Sequence, residues 1–125
     1  MPKKKHTTPW TDQKMNPCDV QERLDGYVEM VQNKMNDYWE RSKFTHAEPD
    51  NIYAEYGNKY ARVVHANGTQ RSVHTFVNMI NGDILKAGSW KAPQPNGVRG
   101  NIFEDDNGAS RVNEYGATYL KGPRW

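Results

Sequence analysis

Three features are scarce in this sequence, and each scarcity excludes a class of protein. Cys18 is the single cysteine, so the chain has no internal disulfide, which argues against a secreted domain and favours a reducing compartment. No apolar run approaches the ~20 residues that span a bilayer, and no apolar signal-peptide segment follows Lys3–Lys5. Leu, Ile, Val and Phe together supply only about 15% of the residues, a level typical of disordered chains. Disorder also requires a high net charge, and here the net charge is only +2.

The apolar mass comes instead from aromatic residues and methionine. The chain holds 7 Tyr, 4 Trp and 5 Met among its 125 residues, and its mean hydropathy is −1.03. A length of this order accommodates one domain. We therefore expect a single domain over residues 16–125, with a core rich in aromatic residues and methionine.

The first residues, Met1–Met15, have no apolar periodicity and carry the basic cluster Lys3–Lys5. This composition predicts a flexible basic tail. The alternative is an arm that binds nucleic acid or a partner, with Trp10 as its anchor.

The strongest local pattern predicts a long amphipathic helix. Asn16 is suited to the N-cap, Pro17 to the first helical position and Asp19 to the first turn. Apolar residues then recur at spacings of three and four, as one buried stripe requires. The stripe comprises Val20, Leu24, Tyr27, Val31, Met35 and Tyr38. The helix is expected to end between Arg41 and His46.

The segment after the helix predicts antiparallel β-structure. Strand-like runs cover Lys59–Ala66, Thr69–Ile80 and Asp83–Trp90, with Ile52–Tyr56 as a further candidate. The runs are joined at two Asn-Gly pairs, which strongly favour hairpin turns. The predicted fold class is α+β, one long amphipathic helix packed on an antiparallel three- to four-stranded meander.

Two-residue turns at both Asn-Gly pairs would fix the register of the meander. Arg62 and Trp90 would then each face Val73, and Ala61 would face His74. One face of the sheet would carry Ala61, Val63, His65, Ser72, His74, Phe76, Ile80, Leu85 and Ala87. The other would carry Tyr60, Arg62, Val64, Arg71, Val73, Thr75, Val77, Met79, Ile84, Lys86 and Trp90. We assign the first face to the helix because it holds no Lys or Arg, whose unpaired burial is costly. The opposite assignment buries nearly as much apolar area and stays open.

Residues 86–103 are rich in Gly and Pro and contain three cations but no acid. This composition predicts a long loop, and long loops in compact domains are often functional. Beyond it, Arg111–Leu120 is a candidate last strand.

A basic and aromatic surface is the strongest functional candidate. Its residues are Arg62, Arg71 and Lys86 on one predicted sheet face, the flanking aromatic residues Tyr60 and Trp90, and Lys91 and Arg99 on the predicted loop. Cations neutralise phosphates, and exposed aromatic rings stack on unpaired bases. The competing interpretation is a solvated sheet face without a ligand, with Trp90 buried in the core.

Other chemistry has little support in the sequence. The four histidines and Cys18 show no metal-ligand spacing, so we predict neither a metal site nor a cofactor. Ser72 with His74, or His74 with Ser89, could form a dyad, but nothing in the sequence marks either serine as activated, so we predict no enzymatic activity.

Four runs within Lys59–Phe103 carry a resemblance: Arg71-Ser-Val-His-Thr-Phe-Val, Gly82-Asp-Ile-Leu-Lys-Ala, Trp90-Lys-Ala-Pro and Gly97-Val-Arg-Gly-Asn-Ile. In these runs the chain resembles small uncharacterised proteins encoded by tailed bacteriophages. The resemblance implies a viral gene product in the cytoplasm of a host bacterium, with the virion as the alternative location. It implies no activity and no functional residues.

Taken together, the sequence predicts a non-enzymatic bacteriophage accessory protein that binds nucleic acid through its basic and aromatic surface. The alternative is a protein-interaction module, either a minor virion component or a binder of a host factor. Affinity that falls steeply with salt would favour nucleic acid over protein.

Overall fold

The computed structural model describes residues 14–42 and 48–117, and these form one helix and one antiparallel sheet. The helix α1 spans Pro17–Ser42. The strands are β1 (Asn51–Tyr56), β2 (Tyr60–Asn67), β3 (Gln70–Asn78), β4 (Asp83–Ala87) and β5 (Pro93–Asn101), and a short 3-10 helix follows at Ala109–Arg111. Each strand pairs with its neighbours in sequence, in the order β1-β2-β3-β4-β5. The predicted α+β class is confirmed, with one more strand than the prediction allowed.

The helix begins and ends where its sequence pattern indicates. The Asn16 side chain caps it, because its Oδ1 accepts a hydrogen bond of 2.9 Å from the backbone N–H of Cys18. Five of the six predicted stripe residues are buried, and Tyr38 is half-buried. The helix is not apolar enough to cross a membrane, and no other helix in the described parts of the chain is either.

The core lies between α1 and one face of the sheet. The helix stripe packs there against Ile52, Ala61, Val63, Val77, Ile84, Ile102 and Val112. At the sheet edge, the Gln32 side chain accepts from the Ile52 N–H (2.7 Å) and donates to the Asp50 carbonyl (2.9 Å). The helix therefore supplies hydrogen bonds to the outer edge of β1 as a neighbouring strand would.

The predicted register of β2 and β3 is wrong. The turn lies at Gly68-Thr69, so that Asn67 pairs with Gln70, and a β-bulge between Val63 and Val64 shifts the pairing once more. His74 is the extra residue of the bulge, because Val64 pairs with Val73 and Val63 pairs with Thr75. Arg62 consequently faces Phe76 rather than Val73, and Ala61 faces Val77 rather than His74.

The bulge also corrects the assignment of faces. Ala61 and Val63 pack on the helix as predicted, but beyond the bulge the helix side receives Val77 and Ile84 from the predicted outer face. Phe76, predicted on the helix side, lies against Arg62 on the outer face. Side chains alternate between the two faces along a strand. One extra residue therefore moves every residue that follows it to the other face of the sheet.

Three predicted boundaries also change. The predicted loop 86–103 is mostly a hairpin, since β4 ends at Ala87 and pairs with β5 at Pro93. In place of the predicted strand Arg111–Leu120, the described part shows a 3-10 turn and one bridge, Val112 to Ala117. Met15, predicted in the tail, packs on the core and donates its N–H to the Ile80 carbonyl (2.8 Å). Residues 1–13, with Trp10 and Lys3–Lys5, lie outside the described residues, as do residues 118–125.

Candidate functional site

Trp90 lies at the tip of the hairpin between β4 and β5, on the outer side of the sheet. The turn closes through a hydrogen bond from the Gly88 N–H to the Ala92 carbonyl (3.1 Å). Arg62, on β2, donates from Nε to the Trp90 carbonyl at 2.7 Å. This bond fixes the hairpin tip against the middle of the sheet, and Trp90 remains 36% exposed.

Two guanidinium groups lie over the Trp90 ring. The Cζ of Arg62 is 4.5 Å from the ring centroid, and the Cζ of Arg71 is 4.8 Å from it. Both distances are within the range of cation–π attraction. Arg62 also approaches the ring of Phe76, with its Cζ 5.9 Å from the centroid.

A carboxylate completes this group. Glu55 lies opposite Arg62 in the register of β1 and β2, and its Oε1 accepts from Arg62 Nη1 at 3.1 Å. Arg71 Nη2 lies 3.1 Å from each carboxylate oxygen of Glu55. The four residues Glu55, Arg62, Arg71 and Trp90 are called the Trp90 cluster below. Its formal charge is +1, because Glu55 offsets one of the two arginines.

The Trp90 cluster separates two shallow cavities of the outer face. The first, called the Tyr60 cavity, has a volume of about 290 Å³ and is lined by Glu55, Tyr56, Gly57, Asn58, Lys59, Tyr60, Arg62, Phe76 and Lys91. The second has a similar volume, about 290 Å³, and is lined by Arg71, Ser72, Val73, Ala87, Gly88, Ser89 and Trp90. A ligand that spans both cavities would have to cross the cluster.

The Tyr60 cavity combines aromatic rings with exposed cations. Tyr60 and Phe76 meet edge to face, with ring centroids 6.3 Å apart. The Lys59 ammonium lies 5.3 Å from the centroid of the Tyr60 ring. Lys59 and Lys91 are both exposed. The cavity therefore has an aromatic part and two lysines whose charge is accessible to an anionic ligand.

A buried polar chain lies on the helix side of the sheet. The Tyr27 hydroxyl is 2.6 Å from Thr75 Oγ1, which lies 2.9 Å from His74 Nδ1, and His74 Nε2 lies 2.8 Å from the Asn113 carbonyl. Burial lowers the pKa of His74 to about 4, against a smaller opposing effect of the Asn113 carbonyl. Burial also raises the pKa of Tyr27. Both groups are therefore neutral at pH 7, and this chain of hydrogen bonds has a structural role.

A model of the family described as "Family of unknown function (DUF7717)" matches residues 7–119. The chain belongs to this family. No curated protein and no solved structure matches the chain. The family description states no function, so the resemblance to bacteriophage proteins and the nucleic-acid role remain predictions of the sequence.

The structure brings together three of the six predicted site residues, places a fourth beside them and separates the other two from them. Arg62, Arg71 and Trp90 form one cluster, and Lys91 lies beside it on the rim of the Tyr60 cavity. Lys86 lines a different cavity, of about 240 Å³, together with buried His74, because the bulge places it on the other face.

Arg99 is also placed differently from the prediction. It is the extra residue of a second bulge, where Leu85 pairs with Val98 and Ile84 pairs with Gly100. The side chain is half-buried, and burial lowers the pKa of its guanidinium. Arg99 is therefore a less accessible phosphate ligand than its position in a loop would have made it.

Sequence reasoning missed two residues that shape this surface. Glu55 lies in the candidate strand Ile52–Tyr56, whose register the Asn-Gly turns did not define. Lys59 precedes β2 in the turn that joins it to β1, where the Gly57 N–H donates to the Tyr60 carbonyl (2.9 Å). Alternation of side chains along Ile52–Tyr56 places Glu55 on the other face of the strand from Ile52 and Ala54. Only the pairing of β1 with β2 brings Glu55 to Arg62.

Proposed function

We propose that this protein binds single-stranded nucleic acid across the outer face of its sheet. The observation that carries the proposal is the Trp90 cluster, an exposed indole fixed on a sheet surface by two arginines. Sheet surfaces that present aromatic rings beside cations bind unpaired bases by stacking and backbone phosphates by charge.

Preorganisation supports this role for the cluster. Both arginines are held by Glu55, and Arg62 is bonded to the Trp90 carbonyl as well. Side chains that are already ordered lose little conformational entropy when a ligand arrives. The exposed part of the indole therefore offers a stacking surface at a low ordering cost.

The distribution of charge sets the expected salt dependence. Glu55 offsets part of the charge of Arg62 and Arg71, so the accessible lysines Lys59 and Lys91 are the best candidates for phosphate contacts. Each contact to a single strand contributes a slope of about 0.7 in log K against log salt. Two contacts predict a slope of about 1.4, which is shallow for a nucleic-acid-binding protein.

One observation favours a second candidate, a protein-docking surface. Trp, Tyr and Arg are the residue types most enriched at the energetic centres of protein interfaces. Glu55 reduces the charge of the cluster, as suits a surface that meets another protein. A host factor or a virion component would be the partner under the bacteriophage hypothesis.

The proposal is tested by fluorescence anisotropy with labelled single-stranded and duplex oligonucleotides at low and moderate salt. Trp90→Ala is expected to weaken single-strand binding by about 1–3 kcal/mol, the loss of one base stack. Trp90→Phe keeps an aromatic face and is expected to recover part of the affinity. Duplex binding should change little, because paired bases offer no free face for stacking.

Two lysine variants form a matched pair for the charge contribution. Lys91→Ala removes a cation beside the Trp90 cluster, and Lys86→Ala removes one on the opposite sheet face. Lys91→Ala should lower the salt slope by about 0.7 and Lys86→Ala should leave it unchanged. Equal effects would indicate nonspecific attraction. A folded wild-type protein that binds neither oligonucleotide at low salt would refute nucleic-acid binding and favour the docking surface.

A further inference from the structure

The Tyr60 cavity contains a carboxylate with an unused acceptor position. A carboxylate offers about four lone-pair sites. Within residues 14–42 and 48–117, Glu55 Oε1 accepts from Arg62 and Arg71, and Oε2 accepts from Arg71 alone. The side chain is 34% exposed, so ligand atoms in the cavity can reach the remaining site.

From this arrangement we propose that the Tyr60 cavity is a base-selective subsite, in which Glu55 favours bases with an amino group, such as cytosine, over thymine and uracil. The inference rests on the proposed function, since it concerns the same surface. The ligand class is a single-stranded nucleic acid rich in cytosine.

The other groups in the cavity fit a nucleotide in this orientation. Tyr60 offers a half-buried aromatic surface, supported by the edge contact with Phe76. Lys59 and Lys91 provide positive charge for the phosphates of the strand. A base that lies on the aromatic side of the cavity then directs its polar edge towards Glu55, the acidic residue among those that line it.

The selectivity follows from hydrogen-bond polarity. Cytosine presents its N4 amino group as a donor, and a carboxylate is its natural acceptor. Thymine and uracil present the O4 oxygen at the same position, so that two acceptors would face each other. Once a bound base excludes water from this position, an acceptor left without a donor costs more free energy than a good hydrogen bond contributes.

The test compares two labelled oligonucleotides of about 15 nucleotides, one of deoxycytidine and one of thymidine, at neutral pH. Their phosphate charge is identical, so the ratio of their dissociation constants isolates recognition of the base. We expect the deoxycytidine strand to bind about tenfold more tightly, as one discriminating hydrogen bond to a charged group provides. A third strand of N4,N4-dimethyldeoxycytidine, which lacks amino hydrogens, should bind like the thymidine strand.

Glu55→Gln supplies the protein side of the test. The amide frees Arg62 and Arg71 from a negative charge, so overall affinity should rise, but the ratio between the two strands should fall towards one. Glu22→Gln makes the same charge change on an exposed helix position and should leave the ratio unchanged. The dimethylated strand gives the same information if Glu55→Gln does not fold.

The outcomes separate this inference from the proposed function. Tight but equal binding of all three strands would overturn the base selectivity and leave single-strand binding in place. Failure to bind any strand would overturn both. A preference for cytosine that persists in folded Glu55→Gln would show that another group makes the selection and would refute the role of Glu55.

Discussion

His74 shows how one residue links the backbone irregularity of β3 to a buried hydrogen-bond chain. The imidazole is neutral, and the Asn113 carbonyl can only accept, so Nε2 carries the proton and donates. Nδ1 must then accept from the Thr75 hydroxyl, which in turn accepts from Tyr27. Every member of the chain is satisfied, and the direction of each hydrogen bond is fixed.

The burial of neutral His74 in this hydrogen-bond chain predicts that the protein loses stability in mild acid. Burial lowers the folded-state pKa of His74 from 6.5 to about 4, against the smaller opposing effect of the Asn113 carbonyl. The unfolded chain therefore binds a proton that the folded chain excludes, and the free energy of unfolding falls as the pH drops from 6.5 towards 4. The difference amounts to about 3 kcal/mol at most.

Urea unfolding of the wild type and of His74→Gln between pH 7.5 and 4 measures this effect. The wild type should lose more stability over this interval than the variant, which has no imidazole at the bulge. Parallel pH profiles, or an NMR titration that places the His74 midpoint near 6.5, would contradict the prediction.

Gly26 is another residue explained only by its neighbours. Glycine within a helix costs about 1 kcal/mol relative to alanine. A Cβ at this position would lie 2.7 Å from Nδ2 of Asn107, which comes from the turn before the 3-10 helix. The glycine therefore allows the Asn107 side chain to lie against the helix surface.

At the scale of elements, the helix depends on one narrow stripe for its attachment to the sheet. Leu24 has no exposed surface, whereas Tyr38, near the C-terminal end of the helix, is half-buried and meets Tyr115 edge to face. The stripe predicted from spacing is thus not uniform in burial. Burial is complete at the five stripe residues from Val20 to Met35 and decreases at Tyr38.

Alanine substitutions along the stripe should reproduce this gradient. Leu24→Ala is expected to lower the free energy of unfolding by about 2–5 kcal/mol, through lost burial and a cavity. Tyr38→Ala should cost less, because its side chain retains contact with solvent. Urea midpoints with unchanged m-values would measure both, and an equal or greater cost for Tyr38→Ala would contradict the gradient.

At the scale of the whole molecule, the helix covers one face of the sheet, and the segment before it also contributes. Met15 packs against the core and bonds to the Ile80 carbonyl, which follows the end of β3. On the helix N-terminal half, Arg23 donates from Nε to the Ile102 carbonyl (2.7 Å) and binds the Glu104 carbonyl as well. These contacts connect the start of the helix to the segments just before β4 and just after β5, at the open end of that hairpin.

Two truncated proteins test where the domain begins. A chain that starts at Lys14 keeps Met15, and a chain that starts at Asn16 lacks it. The shorter chain should melt several degrees lower, since it loses one partly buried apolar side chain and one backbone hydrogen bond. The comparison uses thermal unfolding followed by circular dichroism, and equal melting temperatures would show that Met15 contributes nothing to stability.

The sequence by itself determined the elements whose signals are local. Asn16, Pro17 and the apolar stripe define the helix within a few residues, because capping and periodicity act over single turns. The alternation of β-branched residues and the glycines at Gly68 and Gly82, both with positive φ, define the meander. Arg62, Arg71 and Trp90 were identified as one surface by residue type and approximate register.

Only the tertiary structure decided which side chains share a face. The bulge at His74 is stabilised by Thr75 and Asn113, which are brought together by packing rather than by sequence proximity alone. Its single extra residue moves Lys86 away from Trp90 and moves Phe76 towards Arg62. Two other features depend on contacts between neighbouring strands. β5 pairs with β4 despite its Gly and Pro content, and Glu55 reaches both arginines. Local sequence patterns do not encode such contacts, because they form between residues distant along the chain.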